Sequence, residues 1–177
     1  SVVEHTFMFM LNMEKNSVYM DQVVRSDYSK RKNIKAFDLG ARTLLVLGYG
    51  RIGTRVSRLA GSFGMTVLVC DEKFDRGVSE VDGFEIIHDL DEGLARSTFL
   101  TVHIPLTDKS ANLIDKDRLL KMPKGSYLVN CARGGIVDEQ ALTELTQSGH
   151  IAASAFDVFS VEPITVSYTH LRAHETR

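Results

Sequence analysis

The sequence has few of the features that mark secreted, metal-binding or membrane-spanning proteins. It has two cysteines among 177 residues, Cys70 and Cys131, and they show neither a disulfide framework nor a metal-ligand spacing. A reducing compartment, the cytoplasm, is therefore the expected location. The apolar run within residues 1–11 is too short to span a bilayer, and it lacks the basic leader and the cleavage site of a signal peptide.

Strong charge of either sign is also missing. The formal net charge is −2 and the pI is near 6.3, which gives no reason to expect a nucleic acid or an anionic membrane as partner. The basic stretch within residues 21–39 favours a solvated helix and loop over a nucleic-acid patch. With 44% hydrophobic residues, the chain can bury one core, and one domain is expected. Because it has no initiator methionine and opens inside a helical pattern, we expect a fragment.

The most informative stretch is residues 43–71. An apolar run at 43–47 predicts a buried strand, and Gly48, Gly50 and Gly53 follow it as G-x-G-x-x-G. Apolar residues at helical spacing then predict a helix that ends at Gly64, and a second strand is predicted at 66–70. Gly48 suits the tight turn, Gly50 lets a pyrophosphate approach the backbone, and Gly53 permits close packing of helix on strand.

An acid ends the second strand of this unit. Asp71 stands where a carboxylate can accept both hydroxyls of an adenosine ribose, and it would repel a 2′-phosphate. The free N–H groups at the helix start favour phosphates. The stretch therefore predicts a dinucleotide site that prefers NAD over NADP, although Lys73 and Arg76 lie nearby.

The rest of the chain alternates strands with helices. A helix is predicted at 4–20, and later helices at 89–95, 115–122 and from Asp138 to Thr146; later strands are predicted at 84–87, 98–104, 126–131 and 151–158. This alternation predicts an α/β fold with a doubly wound parallel sheet, a single Rossmann nucleotide-binding domain with strand order 3-2-1-4-5-6. The predicted division is a leading helix and connector at 1–39, the NAD-binding domain at 40–163 and a non-native tail at 164–177.

Chemistry-bearing residues cluster at the predicted strand ends, where ligands bind in such sheets. They are Asp71, His103, Pro105, Cys131, Ala132, Arg133 and Asp157. Arg133, just past a strand and beside two glycines, could present its guanidinium to a carboxylate. Pairing of Arg133 with Asp138 or Glu139 is an equally good interpretation of the spacing.

Four motifs resemble one family, the D-isomer-specific 2-hydroxyacid dehydrogenases of the phosphoglycerate dehydrogenase type. They are LGYGRIG at 47–53, VHIPLT at 102–107, NCARGGIVD at 130–138, and FDVF at 156–159 with Glu162-Pro163. The likeness covers residues 4–163. It implies an oxidoreductase that moves a hydride between nicotinamide and a small 2-hydroxy or 2-keto acid.

The resemblance also implies roles for single residues. Arg133 matches the arginine that binds the substrate carboxylate and carbonyl, and Glu162 matches the partner of the acid/base histidine. Cofactor contacts are expected at a larger set of positions, which includes Arg133 again: Gly48, Gly50, Arg51, Ile52, Gly53, Asp71, His103, Pro105, Cys131, Ala132, Arg133 and Asp157. A homodimer through the opening helix is expected, with Phe7 and Met10 as apolar side chains that need a cover.

Two departures from the family pattern limit what this chain can do alone. The family's Pro-His segment beyond the Glu-Pro is absent, and the domain that normally precedes the opening helix is not in the sequence. We therefore expect the chain to bind NAD(H) without turning over a 2-keto acid. Glu162 argues against the related formate dehydrogenases. A non-catalytic NAD(H)-sensing module of the co-repressor type is the alternative from another class.

Overall fold

The computed structural model describes residues 1–33 and 37–160, which form one α/β unit. Its helices are α1 (Val2–Lys15), α2 (Ser17–Ser26), α3 (Arg51–Ser62), α4 (Leu90–Arg96), α5 (Lys116–Lys121) and α6 (Glu139–Gln147). Its strands are β1 (Thr43–Leu47), β2 (Thr66–Cys70), β3 (Glu80–Val81), β4 (Phe84–Ile86), β5 (Phe99–Val102), β6 (Ser126–Asn130) and β7 (Ile151–Phe156). Short 3₁₀ turns lie at Tyr28–Asn33 and Leu39–Ala41.

The strands form one sheet in the order β3-β4-β2-β1-β5-β6-β7. Without β3 this is the predicted order 3-2-1-4-5-6, and all of these pairs are parallel. The prediction missed β3, a two-residue edge strand antiparallel to β4. Asp82 and Gly83 connect them with φ values of 52° and 83°, as a two-residue turn of the Asp-Gly kind requires.

Both faces of the sheet are covered, which explains why its strands are almost continuously apolar. Leu44 and Val46 belong to the core cluster that includes side chains of α1 and α3. Leu45 and Leu47 point the other way, into the cluster that includes side chains of α4, α5 and α6. The alternation of side chains along a strand thus builds two cores on one sheet.

The opening segment differs from its prediction in two ways. The single helix expected at 4–20 is two helices, because Asn16 adopts a left-handed conformation with φ 50° between α1 and α2. Phe7 and Met10 are buried inside the chain, at 4% and 0% exposure, so they do not need the cover of a second subunit. The dimer itself stays a prediction, which sedimentation velocity can check.

Other predictions concern the thiols, membrane segments and the end of the chain. Cys70 and Cys131 lie at the ends of β2 and β6 as free thiols. Among the described residues no helix is both long and apolar enough to cross a membrane. Glu162 and the tail at 164–177 lie outside the described residues, so the domain boundaries stay predictions. The location in the cytoplasm also stays a prediction.

One buried ion pair joins α1 to the start of the sheet. The Glu14 side chain has 0% exposure and accepts hydrogen bonds from Arg42 Nε at 3.1 Å and Arg42 Nη2 at 2.7 Å. Arg42 also lies over the rings of Phe37 and Tyr127. The bidentate geometry compensates for the removal of the Glu14 carboxylate from water.

We expect Arg42→Met to lower the free energy of unfolding by about 3–5 kcal/mol, because it strands a buried carboxylate. The double variant Glu14→Met/Arg42→Met should recover most of that loss. Lys116→Met, which breaks the exposed pair with Glu144, is the matched control and should cost much less, because solvent screens an exposed pair. Urea denaturation measures all three, and equal losses for Arg42→Met and Lys116→Met would contradict the expectation.

Candidate active site

The predicted site residues follow one row of paired positions across the sheet. Cys70 pairs with Leu47, Leu47 with Val102, Val102 with Asn130, and Asn130 with Phe156. The next residues along the five strands are therefore neighbours at the carboxyl edge, in the order Asp71, Gly48, His103, Cys131 and Asp157. At a strand spacing of about 4.8 Å this row extends about 19 Å.

The glycine-rich turn begins this edge and explains two of the three glycines by contact. Gly48 has φ 96°, and a Cβ there would lie 2.7 Å from the His103 carbonyl oxygen. A Cβ on Gly53 would lie 1.9 Å from the Gly48 carbonyl oxygen. Only glycine lets β1, β5 and the start of α3 approach this closely.

Gly50 differs from the other two because it faces open space. A Cβ on Gly50 would meet no atom within 4 Å, and the residue is exposed at the start of α3. Arg51, also exposed, and Ile52, partly buried, begin the helix. The unpaired N–H groups of this first turn suit a phosphate, so the open space at Gly50 fits the pyrophosphate of a dinucleotide.

A groove of about 1180 Å³ lies beside the turn. Five predicted residues line it: Gly48, Gly50, Asp71, His103 and Pro105. Leu47, Ile87, Leu90, Ile104 and Leu113 add an apolar lining. An apolar groove that ends on a carboxylate and on free backbone N–H groups fits an adenosine with its phosphates.

Asp71 is held in place by the backbone. Its Oδ2 accepts from Tyr49 N at 2.6 Å, and its Oδ1 accepts from Lys73 N at 2.9 Å. The carboxylate remains partly exposed in the groove. Because each oxygen can accept a second hydrogen bond, Asp71 is oriented and still able to bind two hydroxyl groups.

His103 is a neutral histidine at the groove. Burial lowers its pKa to about 4, because charging a desolvated imidazole is unfavourable. Its Nε2 lies 2.9 Å from Thr101 Oγ1, and its backbone N donates to Leu47 O at 2.7 Å. At neutral pH His103 can line the site, but it holds no imidazolium proton for catalysis.

The loop after β6 presents Arg133 at the same edge. Asn130, which is fully buried, accepts from Ala132 N at 3.0 Å and donates to Arg133 O at 2.9 Å. The exposed Arg133 side chain donates to Ala132 O at 2.7 Å. Within residues 1–33 and 37–160 it forms no ion pair, so the alternative pairing with Asp138 or Glu139 is not found.

Both acids of that alternative have other partners. Asp138 caps α6 by accepting from Ala141 N at 2.9 Å. Glu139, at 5% exposure, accepts from Ser160 N at 2.8 Å and Ser160 Oγ at 2.9 Å. A Cβ on Gly134 would lie 2.1 Å from the Phe159 backbone. The chain that leads toward residue 162 is therefore fixed against the Arg133 loop.

Helix α1 closes the far end of the edge. Asp157 Oδ1 lies 3.6 Å from His5 Nε2, and the buried Thr6 side chain interacts with the Cys131 thiol. Burial raises the pKa of Cys131 to about 11, so this thiol stays protonated. Cys131, Ala132, Arg133 and Asp157 share the edge with the groove but do not line it.

The sequence interpretation missed three positioning residues. Asn130 is the one with a recognisable signal, since an asparagine that ends an apolar strand before a turn often bonds the backbone two residues on. Tyr49 stands at a variable position of the glycine motif, and its contacts come from loops far along the chain. Glu139 reads as an ordinary acid in the first turn of a helix.

The His103 pKa predicts a pH dependence of stability. Its pKa in the folded chain, about 4, lies below the ordinary 6.5, so the unfolded chain takes up this proton first. Its contribution to stability is complete above pH 6.5 and decreases by up to about 3 kcal/mol as the pH falls to 4. His103→Gln should remove this part of the slope in urea denaturation between pH 7 and 4.5. The matched His88→Gln should keep it, and an unchanged slope in His103→Gln would refute the assignment.

Comparison with known proteins agrees with this geometry. The protein-family model described as D-isomer specific 2-hydroxyacid dehydrogenase, NAD binding domain, matches residues 7–176. D-3-phosphoglycerate dehydrogenases from Methanocaldococcus jannaschii and Bacillus subtilis are 39% and 37% identical over 163 residues, which are 92% of this chain and 31% of each relative.

Solved structures give the same result. A D-lactate dehydrogenase from Aquifex aeolicus, complexed with NAD and lactic acid, is 36% identical with a TM-score of 0.83, over 90% of this chain and 47% of that one. An NAD-dependent formate dehydrogenase from Staphylococcus aureus, complexed with NAD, is 32% identical with a TM-score of 0.84, over 94% and 50%. The chain thus spans about half the length of these two solved chains and 31% of the two phosphoglycerate dehydrogenases. It belongs to the D-isomer specific 2-hydroxyacid dehydrogenase family, as an NAD binding domain whose cofactor is NAD.

Proposed function

We propose that this chain supplies the cofactor-binding half of an enzyme that transfers a hydride between NAD(H) and a small D-2-hydroxy or 2-keto acid. The observation that carries the proposal is the position of Arg133. Its side chain is exposed in the loop after β6, at the carboxyl edge of the sheet that the groove also borders, without an acidic partner among the described residues.

The chemistry of a 2-keto acid explains this arrangement. Its carboxylate and carbonyl oxygens are coplanar acceptors, which the planar fork of an arginine can bind together. As hydride reaches the carbonyl carbon, negative charge develops on the carbonyl oxygen, and a guanidinium beside it stabilises that charge. Asn130 restrains the backbone at Ala132 and Arg133, so little ordering of this loop is needed when substrate arrives.

Acid/base chemistry would depend on Glu162 and on a histidine, as the family resemblance implies. Glu139 supports this part of the proposal because it holds Ser160 two residues before Glu162. The described part of the chain contains no feature that favours the non-catalytic sensing module over the dehydrogenase. A cytoplasmic location and a homodimer remain parts of the proposal.

The first prediction concerns the chain alone. We expect the purified 177-residue chain to bind NADH, measured by the change in NADH fluorescence, because the turn, Asp71 and the groove are already in place. We expect no NADH oxidation with glyoxylate, hydroxypyruvate or pyruvate, because His103 carries no imidazolium proton at neutral pH. Clear turnover of any of the three would refute this expectation for the 177-residue chain.

The second prediction tests Arg133 as the carboxylate site. In the ¹⁵N-labelled chain saturated with NAD⁺, millimolar pyruvate should shift the backbone signals of residues 131–135. Arg133→Met should abolish these shifts. Lys124→Met, which removes an exposed charge at the opposite edge of the sheet, is the matched control and should retain them. Shifts that persist in Arg133→Met would show that the carboxylate binds elsewhere.

A further inference from the structure

Lys73 lies two residues beyond Asp71 and makes an unusual set of contacts. Its ammonium group donates to the Tyr49 carbonyl oxygen. The same nitrogen lies 5.1 Å from the centre of the Tyr49 ring and 5.0 Å from the centre of the Phe74 ring. Carbonyl and aromatic faces both attract a cation, so these contacts hold the side chain in one arrangement.

The Lys73 contact fixes one peptide unit of the glycine-rich turn. A trans peptide directs its C=O and its N–H in opposite directions. Because Lys73 binds the Tyr49 carbonyl, the N–H of Gly50 points away from Lys73. This N–H forms no hydrogen bond with another described residue, and Gly50 lines the groove. The contact therefore keeps a backbone donor available at the place where the turn is open.

Tyr49 is itself held by two acidic residues. Its backbone N–H donates to Asp71, and its hydroxyl donates to Asp82 Oδ2 at 2.8 Å. Arg58 of α3 donates to the same Asp82 oxygen at 3.0 Å. The Tyr49 side chain is nearly inaccessible, at 3% exposure. The Tyr49 ring that Lys73 contacts is thus rigidly held and is not a mobile surface group.

We propose that Lys73 is a positioning residue for the cofactor: it orients the Tyr49–Gly50 peptide so that Gly50 donates its N–H to the pyrophosphate. This inference deepens the cofactor role and rests on it. Lys73 is consequently not a ligand of a 2′-phosphate. Its position beside Asp71 would suit such a ligand, but its ammonium group is turned toward the Tyr49 carbonyl and the rings of Tyr49 and Phe74.

Lys73→Met tests this role because it keeps the length and apolar stem of the side chain and removes both the charge and the donors. The NADH dissociation constant should rise roughly tenfold, which corresponds to about 1.4 kcal/mol. The NADPH dissociation constant should rise by the same factor. Lys73→Arg, which can still donate to the carbonyl and stack on the rings, should restore most of the affinity, and Lys124→Met controls for the change in net charge.

A second measurement does not depend on binding. In the ¹⁵N-labelled chain without cofactor, Lys73→Met should shift or broaden the Gly50 amide signal, and Lys73→Arg and Lys124→Met should not. A long-range charge effect would leave this signal unchanged. Thermal melting of each variant confirms that the fold is retained.

Different outcomes would overturn different claims. Selective loss of NADPH binding in Lys73→Met would make Lys73 a 2′-phosphate ligand and overturn the proposal. Unchanged NADH affinity together with an unchanged Gly50 signal would also overturn it, and would leave the cofactor role of the chain intact. Failure of the unaltered chain to bind NADH would instead overturn the cofactor role, and with it the role of Lys73.

Discussion

The contact between Gly53 and the Gly48 carbonyl is the constraint on which the site depends. A Cβ at residue 53 would come within 1.9 Å of that oxygen, so any other residue would push the start of α3 away from the end of β1. With glycine, the first turn of the helix lies directly above the strand end. Its free N–H groups, the Asp71 carboxylate after β2 and the apolar groove then share one edge.

The strand register extends this constraint across the sheet. Because the parallel strands end in one paired row, the residue after each strand is brought to the same edge without any long loop. Residues 48, 71, 103, 131 and 157 are far apart in the sequence, yet their positions follow from the lengths of five short strands. The two buried clusters hold that register, since a shift of one residue would exchange the faces of every strand.

The sequence could predict what depends on local pattern. The six parallel strands, their order in the sheet, the tight contacts at Gly48 and Gly53 and the cap of α6 by Asp138 each have a short-range signal, and the structure agrees with them. The break at Asn16 was missed because asparagine in the left-handed conformation is allowed but not required. The contacts of Tyr49 with Asp82, and of Glu139 with Ser160, join distant segments and leave no periodic trace.

The two halves of the edge differ in how firmly the chain itself fixes them. At the Asp71 end, Asp71, Lys73 and Asp82 all bond to Tyr49, so that half is ordered by contacts among three segments. On the other side, the Arg133 side chain bonds, among the described residues, only to the neighbouring Ala132 carbonyl, although Asn130 and the packing of Gly134 on Phe159 brace its backbone. The Asp71 end of the edge therefore needs little reorganisation when a ligand binds, whereas the Arg133 side chain still has to be oriented. A domain built in this way can hold NAD before the reactive end of the site is complete.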